Sequence, residues 1–231
     1  MKRFLAILGI ITALAVGQVE NATAITQTYA DNSLNWATWT AATNNNYDPW
    51  GSPDIASTSV TIDGGILQNI TFNLAKYNYS PKSGDLFINV GNDLKWDYVV
   101  RALGTTLNSS ATLGLYALNG LDYNSATAPN VYQMSYYGSD PNCYRSGLPV
   151  GLLSIDVYDY LGEVSYSANS SRIAFDFSGL TDKLELTSFI IGYQVTCAND
   201  VVYQQVPEPG TLILLGSGLV GLAVFRKRRT R

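Results

Sequence analysis

The chain has 231 residues, a formal net charge of −4, two cysteines and no histidine. The lack of histidine excludes Ser-His-Asp and Cys-His catalysis, His-ligated zinc and haem with a histidine ligand. Between residues 25 and 205, sixteen acidic side chains oppose seven basic ones, a formal charge of −9. Nucleic acid is therefore not an expected partner, because phosphate binding needs a basic surface.

The N-terminal residues have the order of a secretory signal peptide. Lys2 and Arg3 precede an apolar run from Phe4 to Val16, and Ala22-Thr23-Ala24 supplies the small residues that a cleavage site needs. We therefore expect signal peptidase to remove residues 1–24, so that Ile25 begins the exported protein. The alternative, a retained N-terminal anchor, is disfavoured because the apolar run is short and a cleavage site follows it.

Most of the tryptophans lie near the start of the exported part, between Thr26 and Ser57, in a stretch that is also rich in asparagine. Three tryptophans there, Trp36, Trp39 and Trp50, are candidates for stacking on sugar rings, since aromatic faces pack on the CH faces of sugars while amides bind their hydroxyls. The alternative is that these rings are half-buried packing residues of a β-sheet.

Residues 25–205 are long enough for one domain with a substantial core, and short β-rich runs separated by turn residues predict an all-β fold. We expect a single β-sandwich, jelly-roll-like, in which the run after Ser188 is a central strand because both its faces are apolar. The predicted strands are Ser59–Asp63, Leu67–Leu74, Asp85–Val90, Tyr98–Leu103, Ala111–Leu118, Val131–Tyr136, Leu152–Tyr158, Gly162–Ser167, Arg172–Phe177 and Leu186–Cys197.

A loop between two of these strands concentrates oxygen-bearing side chains that could bind calcium weakly. They are Asn89, Asn92, Asp93 and Asp97. Calcium prefers such hard oxygen ligands, but the complete loop motif also needs a glycine and a bidentate carboxylate, and Val100 stands at the carboxylate position. The alternative is a β-hairpin whose Asn and Asp side chains bond their own backbone. No other cofactor is expected.

The two cysteines, Cys143 and Cys197, are expected to form one disulfide, because an exported protein meets an oxidising compartment. The closed loop would stabilise the domain by about 4 kcal/mol in the chain-entropy estimate. The alternative is a pair of free buried thiols.

The C-terminal segment, residues 206–231, combines a rigid turn, an apolar run and a cationic end. Pro207 and Pro209 flank Glu208 and predict an extended hinge from Val206 onward, outside any packed element. The uncharged run from Thr211 to Phe225 would extend about 22 Å as a helix, against a hydrocarbon core of roughly 30 Å, so it is a marginal span. The positive-inside rule places the cations of residues 226–231 in the cytoplasm and everything before Val206 outside.

This order of elements resembles the PEP-CTERM sorting signal of bacteria that produce exopolysaccharide, a tail also catalogued as the C-terminal domain of ice-binding proteins. The resemblance rests on Pro207-Glu208-Pro209, the small residues Gly216-Ser217-Gly218 and the terminal arginine cluster. It implies recognition by an exosortase, processing near the Pro-Glu-Pro sequence, and delivery to the cell surface or the extracellular matrix. A plain C-terminal membrane anchor is the alternative.

Two internal segments are similar to segments of surface proteins that carry the same signal. One runs from Gly84-Asp85-Leu86-Phe87-Ile88 to Trp96-Asp97-Tyr98-Val99-Val100, and the other is Thr196-Cys197-Ala198-Asn199-Asp200. The similarity implies no activity. Asp156, Asp159 and Glu163 lie close in sequence but do not define a facing carboxylate pair. We therefore expect no enzymatic activity and a surface or exopolysaccharide-matrix role, with a glycan-binding module as the alternative and a secreted glycan hydrolase as a less favoured one.

Overall fold

The structure is a computed structural model, and it describes residues 24–31, 53–76, 82–91, 93, 95–122, 131–133, 149–154, 158–186, 188–196, 200–208, 218, 225 and 226. The signal-peptide residues before Ala24 and most of the C-terminal segment therefore lie outside the described residues.

The described residues form β-strands joined by turns, which confirms the all-β prediction. Alternating apolar and polar residues account for most of them, because successive side chains of a strand point to opposite faces. The strands are β1 (Ile25–Ala30), β2 (Asp54–Asp63), β3 (Ile66–Lys76), β4 (Ser83–Val90), β5 (Lys95–Val100), β6 (Ser110–Asp122), β7 (Val131–Gln133), β8 (Pro149–Leu152), β9 (Asp159–Asn169), β10 (Arg172–Asp176), β11 (Phe189–Val195) and β12 (Val201–Val206).

Ten of these strands form one antiparallel sheet in the order β1-β2-β3-β10-β9-β6-β5-β4-β11-β12, and β7 pairs with β8 separately. The sheet curls until it is nearly closed into a barrel, which fits a sandwich-like or barrel-like fold. Its two ends meet where β12 contacts β2, and the buried carboxylate of Asp200 there accepts the backbone N–H of Ile55. Closure of this kind reduces the exposed sheet edge.

The interior of the curled sheet is filled by aliphatic and aromatic side chains from nearly every strand. At its centre the rings of Phe72 and Tyr193 are stacked with centroids 4.3 Å apart, and Phe175 packs edge-on against both. Rings of this size bury a large apolar area, so the cluster contributes strongly to the stability of the fold.

The two halves of the sheet differ on their outer faces. Every residue of β11 is buried, because the strand lies between β4 and β12 and its outer face is covered in part by β8. The prediction that the run after Ser188 is a strand buried on both faces is confirmed, although β11 lies next to the end strand β12 and not in the middle of the sheet. By contrast, the outer faces of β1, β2, β3, β10, β9 and β6 carry exposed or half-buried polar residues and form an open surface.

Two strands were absent from the predicted set. No strand was predicted for Ile25–Ala30, yet this segment forms β1 and pairs with β2 over its whole length. Val201–Val206 forms β12, so the expected hinge at Val206 is wrong for that residue, which is fully buried opposite Phe189. The prediction placed Tyr98–Leu103 and Leu152–Tyr158 too far along the chain relative to β5 and β8.

Candidate functional site

A buried carboxylate, that of Asp85, lies where β4 meets β8. Asp85 is the one charged residue of β4, a strand that is buried except for Val90, and is itself only 1 % exposed. Its Oδ2 atom accepts hydrogen bonds from Nη1 of Arg101 at 2.8 Å and from the backbone N–H of Leu152 at 2.9 Å. Its Oδ1 atom accepts from the backbone N–H groups of Ala102 and Leu103, both at 2.8 Å. The carboxylate thereby fastens β8 to the chain that follows β5.

Two glycines make room for this cluster. A Cβ atom on Gly84 would lie 2.5 Å from the carbonyl oxygen of Val150 and closer still to that of Gln194, and one on Gly151 would lie 2.6 Å from Oδ2 of Asp85. Burial raises the pKa of Asp85, against the lowering effects of Arg101 and the three amides. Since both carboxylate oxygens already accept hydrogen bonds, the arrangement supports a structural role for Asp85. It also explains physically why a glycine precedes this aspartate in the first of the two similar segments, because a side chain at Gly84 would collide with neighbouring backbone.

The open half of the sheet presents rows of short polar side chains, which we call the hydroxyl–amide face. The paired strands align outward-pointing residues across β1, β2, β3, β10, β9 and β6. The first row is Thr26, Thr61, Asn69, Asp176, Ser165 and Thr112. The second row is Thr28, Ser59, Thr71, Ala174, Ser167 and Ser110.

A third row is shorter and consists of Ala30, Ser57, Asn73, Arg172 and Asn169. Apart from two alanines and one charge of each sign, every position of the three rows carries serine, threonine or asparagine. Neighbouring strands are about 4.8 Å apart and alternate residues about 6.8 Å apart along a strand, so these groups form a regular lattice.

Hydrogen bonds between side chains hold parts of this lattice in place. The hydroxyl oxygens of Thr26 and Thr61 are 2.9 Å apart, and Nδ2 of Asn73 donates to the hydroxyls of Ser57 and Ser59 at 3.0 and 3.1 Å. The hydroxyl of Thr71 donates to the amide oxygen of its neighbour in the first row at 2.6 Å. Cross-strand bonds of this kind restrict the rotamers, so these polar groups are partly ordered before any ligand arrives.

A groove of about 760 Å³ crosses the hydroxyl–amide face. Its lining includes the small side chain of Ala174, with Arg172 and Asp176 on either side along β10 and serines and threonines of β3, β9 and β6 around them. The two charged residues are about 13 Å apart along an extended strand. The volume lies within the range of small-molecule sites, and the groove is polar where most such sites are apolar.

An aromatic pair adjoins the groove on β6 and β9. Tyr116 and Tyr160 are opposite each other in the sheet, with ring centroids 5.5 Å apart at an angle of 63°. The ring of Tyr116 lies over Gly114, where a Cβ atom would come within 2.5 Å of it, and Tyr160 is 55 % exposed. Partial desolvation, then the charge of Glu163 and the Tyr116 hydroxyl, raise the pKa of Tyr160, so its phenol remains protonated at neutral pH.

The predicted calcium loop is only partly described. Oδ2 of Asp97 accepts the backbone N–H of Val90 at 2.6 Å, and Oδ1 of Asp93 accepts that of Lys95 at 3.1 Å. Asn89 is fully buried, and Asn92 lies outside the described residues. The two aspartate contacts are those of the alternative interpretation, a hairpin whose acidic side chains bond their own backbone. Among the described residues, no group of three or more Cys, Asp or Glu side chains could hold a metal ion.

Other predicted site residues fall where the structure gives no description. These are the tryptophans Trp36, Trp39 and Trp50, the cysteines Cys143 and Cys197, Asp156, and Pro209. The glycan-stacking and disulfide expectations therefore stay predictions. Of the other two acidic residues considered for catalysis, Asp159 and Glu163 are both exposed on β9.

The end of β12 leads directly into the residues that decide the sorting route. Val206 is fully buried, Pro207 is half-buried and Glu208 is exposed. Residues 205–229 match the family model of the PEP-CTERM protein-sorting motif. The chain carries a PEP-CTERM sorting motif. No curated protein and no solved structure matches the chain, so the sorting motif is what the comparisons contribute.

The sorting motif supports an exported protein that is processed by exosortase and is anchored or processed at the membrane. It begins within the last two residues of β12, so sheet and motif share a boundary. In the parts of the chain that the structure describes, no helix is long and apolar enough to cross a membrane. The predicted sorting helix stays a prediction, since most of it lies outside those parts.

Asp85, Arg101 and the hydroxyl–amide face were not predicted as functional features from the sequence. A signal for Asp85 was present, since it is the one charge in the run from Ser83 to Val90, and a lone charge in a buried strand needs a partner. The face had no comparable signal, because its rows join strands that are far apart in sequence.

Proposed function

We propose that the protein is a non-catalytic component of the cell surface or of the exopolysaccharide matrix, delivered there by exosortase. The observation that carries the proposal is the position of the sorting motif. It starts where β12 ends, so processing near Pro207-Glu208-Pro209 would leave the described strands intact. Cleavage at such a position would release the ten-stranded sheet without cutting through it.

The chemistry of the described residues supports a non-catalytic role. The buried carboxylate of Asp85 already accepts four hydrogen bonds and faces β8 instead of an open cleft. A general acid or base must be able to reach the proton that it transfers. Asp176, the one acidic residue of the three rows, is exposed in an open groove, whereas catalytic carboxyls are usually held in desolvated sites.

The sorting route is tested by terminal analysis of the full chain produced in cells with and without exosortase. With the enzyme, protein released from the surface should begin at Ile25 and end between Val206 and Thr211, as determined by intact mass and terminal peptides. Without the enzyme, the tail through Arg231 should persist in the membrane fraction. Released protein that retains the complete tail in exosortase-containing cells would refute the sorting proposal.

The non-catalytic proposal has a separate test. The surface protein is incubated with neutral and acidic polysaccharides, and new reducing ends are measured over days. We expect no increase above the buffer blank. An increase that the Glu163→Gln variant removes would establish hydrolysis and contradict the proposal, because Glu163 is exposed beside Tyr160 where a sugar could reach it.

A further inference from the structure

The hydroxyl–amide face is a built surface with no assigned partner. Its rows extend over six strands, and the outer face of β4 and β11 in the same sheet is covered and buried. A sheet face that is left open keeps water-compatible side chains, and lysine and glutamate are common choices for that purpose. Here the positions are instead filled by short neutral groups, several of them fixed by mutual hydrogen bonds.

The charge of the face selects among ligand classes. Asp176 and Glu163 oppose Arg172 on the open surface around the groove, in a chain whose formal net charge is −4. With Glu163 counted, this surface carries one more negative than positive side chain, so an anionic polymer gains no net attraction from it, and a basic protein would find few carboxylates to pair with. A neutral ligand does not depend on charge attraction, so the small net charge of this surface does not weaken its binding.

The chemistry of the groove selects a polyhydroxylated ligand. Serine and threonine hydroxyls donate and accept, and asparagine amides do both through separate atoms, so the rows can match a ligand that presents many hydroxyls in varied orientations. Tyr160, farther along β9 and outside the lining of the groove, adds an exposed ring on which the CH face of a sugar can stack. Short fixed side chains also lose little entropy on binding.

We infer that the hydroxyl–amide face binds a neutral polysaccharide chain. The chain lies in the groove over Ala174, its hydroxyls bond Ser165, Ser167 and Thr71, and one sugar ring stacks on Tyr160. The inference rests on the proposed function in one respect, since it supplies the surface protein with the ligand that would hold it in a polysaccharide layer. The rows allow many equivalent registers, so the binding is modest in affinity and tolerant of chain position.

The test is affinity electrophoresis of the full chain in detergent. The gels contain the neutral polysaccharide fraction secreted by the producing cells, the acidic fraction from the same cells, or a galactomannan as a neutral reference. Retardation against polysaccharide concentration gives the dissociation constant. We expect retardation in at least one of the neutral gels and none in the acidic gel.

Two substitutions test whether the polysaccharide binds at the groove and at Tyr160, and each has a matched control. Ser167→Glu fills the groove with a charge and should weaken binding about tenfold or more, whereas Thr181→Glu makes a similar change at an exposed residue away from the face. Tyr160→Ala should weaken binding about threefold to tenfold by removing the stacking ring. Leu153→Ala truncates a side chain of similar exposure, 58 %, elsewhere on the surface and should bind like the unaltered chain.

The outcomes that overturn the inference are distinct. No retardation in any neutral gel overturns it, as does retardation confined to the acidic gel or unchanged binding in Ser167→Glu. If light scattering instead shows a dimer that Ser167→Glu dissociates, the face is an interface between copies of this chain. The terminal analysis is independent of these results, so correct sorting without binding would refute the glycan site and leave the proposed function standing.

Discussion

Asp85 and Arg101 form an ion pair of unequal burial, with 2.8 Å between Oδ2 and Nη1, the carboxylate side chain fully buried and the guanidinium side chain 26 % exposed. Nη1 of Arg101 also donates to the carbonyl oxygen of Leu152 at 2.5 Å. The pair therefore does more than neutralise a charge. It ties β8 to the sheet through the amide and carbonyl of Leu152. The amides of Ala102 and Leu103, which follow β5, bond the same carboxylate.

Replacing Asp85 with alanine should lower the free energy of unfolding by about 3 to 5 kcal/mol, because it leaves buried amides and a partly buried guanidinium without an acceptor. Chemical denaturation of the full chain measures this. Asp93→Ala, which removes an exposed carboxylate from a loop, should cost less than about 1 kcal/mol. Equal losses in the two variants would contradict the role assigned to Asp85.

The contribution of Asp85 should also depend on pH. Burial raises the pKa of this carboxyl in the folded state, so the folded chain binds the proton more tightly than the unfolded chain does. Between the ordinary pKa of about 3.9 and the raised one, the folded state holds more protons, and stability falls as pH rises.

The comparison uses Asp85→Asn, which has no titrating group at this position. The free energy of unfolding of the unaltered chain, relative to this variant, should decrease from about pH 4 upward and level off above the raised pKa. A relative increase over the same window would mean that Arg101 and the three amides outweigh burial.

Gly84 should be intolerant of any side chain. A methyl group there would collide with the carbonyl oxygens of Val150 and Gln194, which are backbone atoms that cannot rotate away. We expect Gly84→Ala to destabilise the protein by about 1 to 3 kcal/mol, the usual cost of overpacking. Gly179→Ala is the control, since no atom lies within 4 Å of its added carbon. Similar melting temperatures for the two variants would refute the close packing of β4 against β8.

Calcium distinguishes the two interpretations of the loop after β4. Because Asp97 and Asp93 each already accept a backbone N–H, we expect the melting temperature to be the same in millimolar calcium and in chelator. A rise in calcium that Asp93→Ala abolishes would instead establish a weak site that involves Asn89, Asn92, Asp93 and Asp97, through preferential binding to the folded state.

Much of the fold could be predicted from local pattern. The alternation of Ser59 and Thr61 with Val60 and Ile62 predicted the second half of β2, Ser59–Asp63, while its first half was not predicted. β1 was missed because its only large aliphatic residue is Ile25. Its inward side is formed by Gln27 and Tyr29, so the segment lacks the alternation of apolar and polar residues that predicts a strand. β12 was missed because the proline beyond Val206 suggested that the packed structure had already ended.

The candidate surface could not be predicted, for a different reason. Alternation shows that Asn69 and Ser165 point outward from their own strands, but not that Asp176 lies between them. That placement depends on the pairing of β10 with both β9 and β3, and the pairing with β3 joins distant parts of the chain. Register of this kind is set by the packed core as a whole.

The burial of Val206 beside the sorting motif has a mechanical consequence. Val206 pairs with Phe189 as the last residue of a strand, and Pro207 follows without a spacer. A flexible linker between the last strand and the sorting motif would let the two move independently, and the described residues Val206, Pro207 and Glu208 supply no such linker. If exosortase acts near Pro207, as proposed, the enzyme must therefore work within a few residues of the end of β12. A few glycines inserted after Val206 would lengthen that distance without changing any contact inside the sheet.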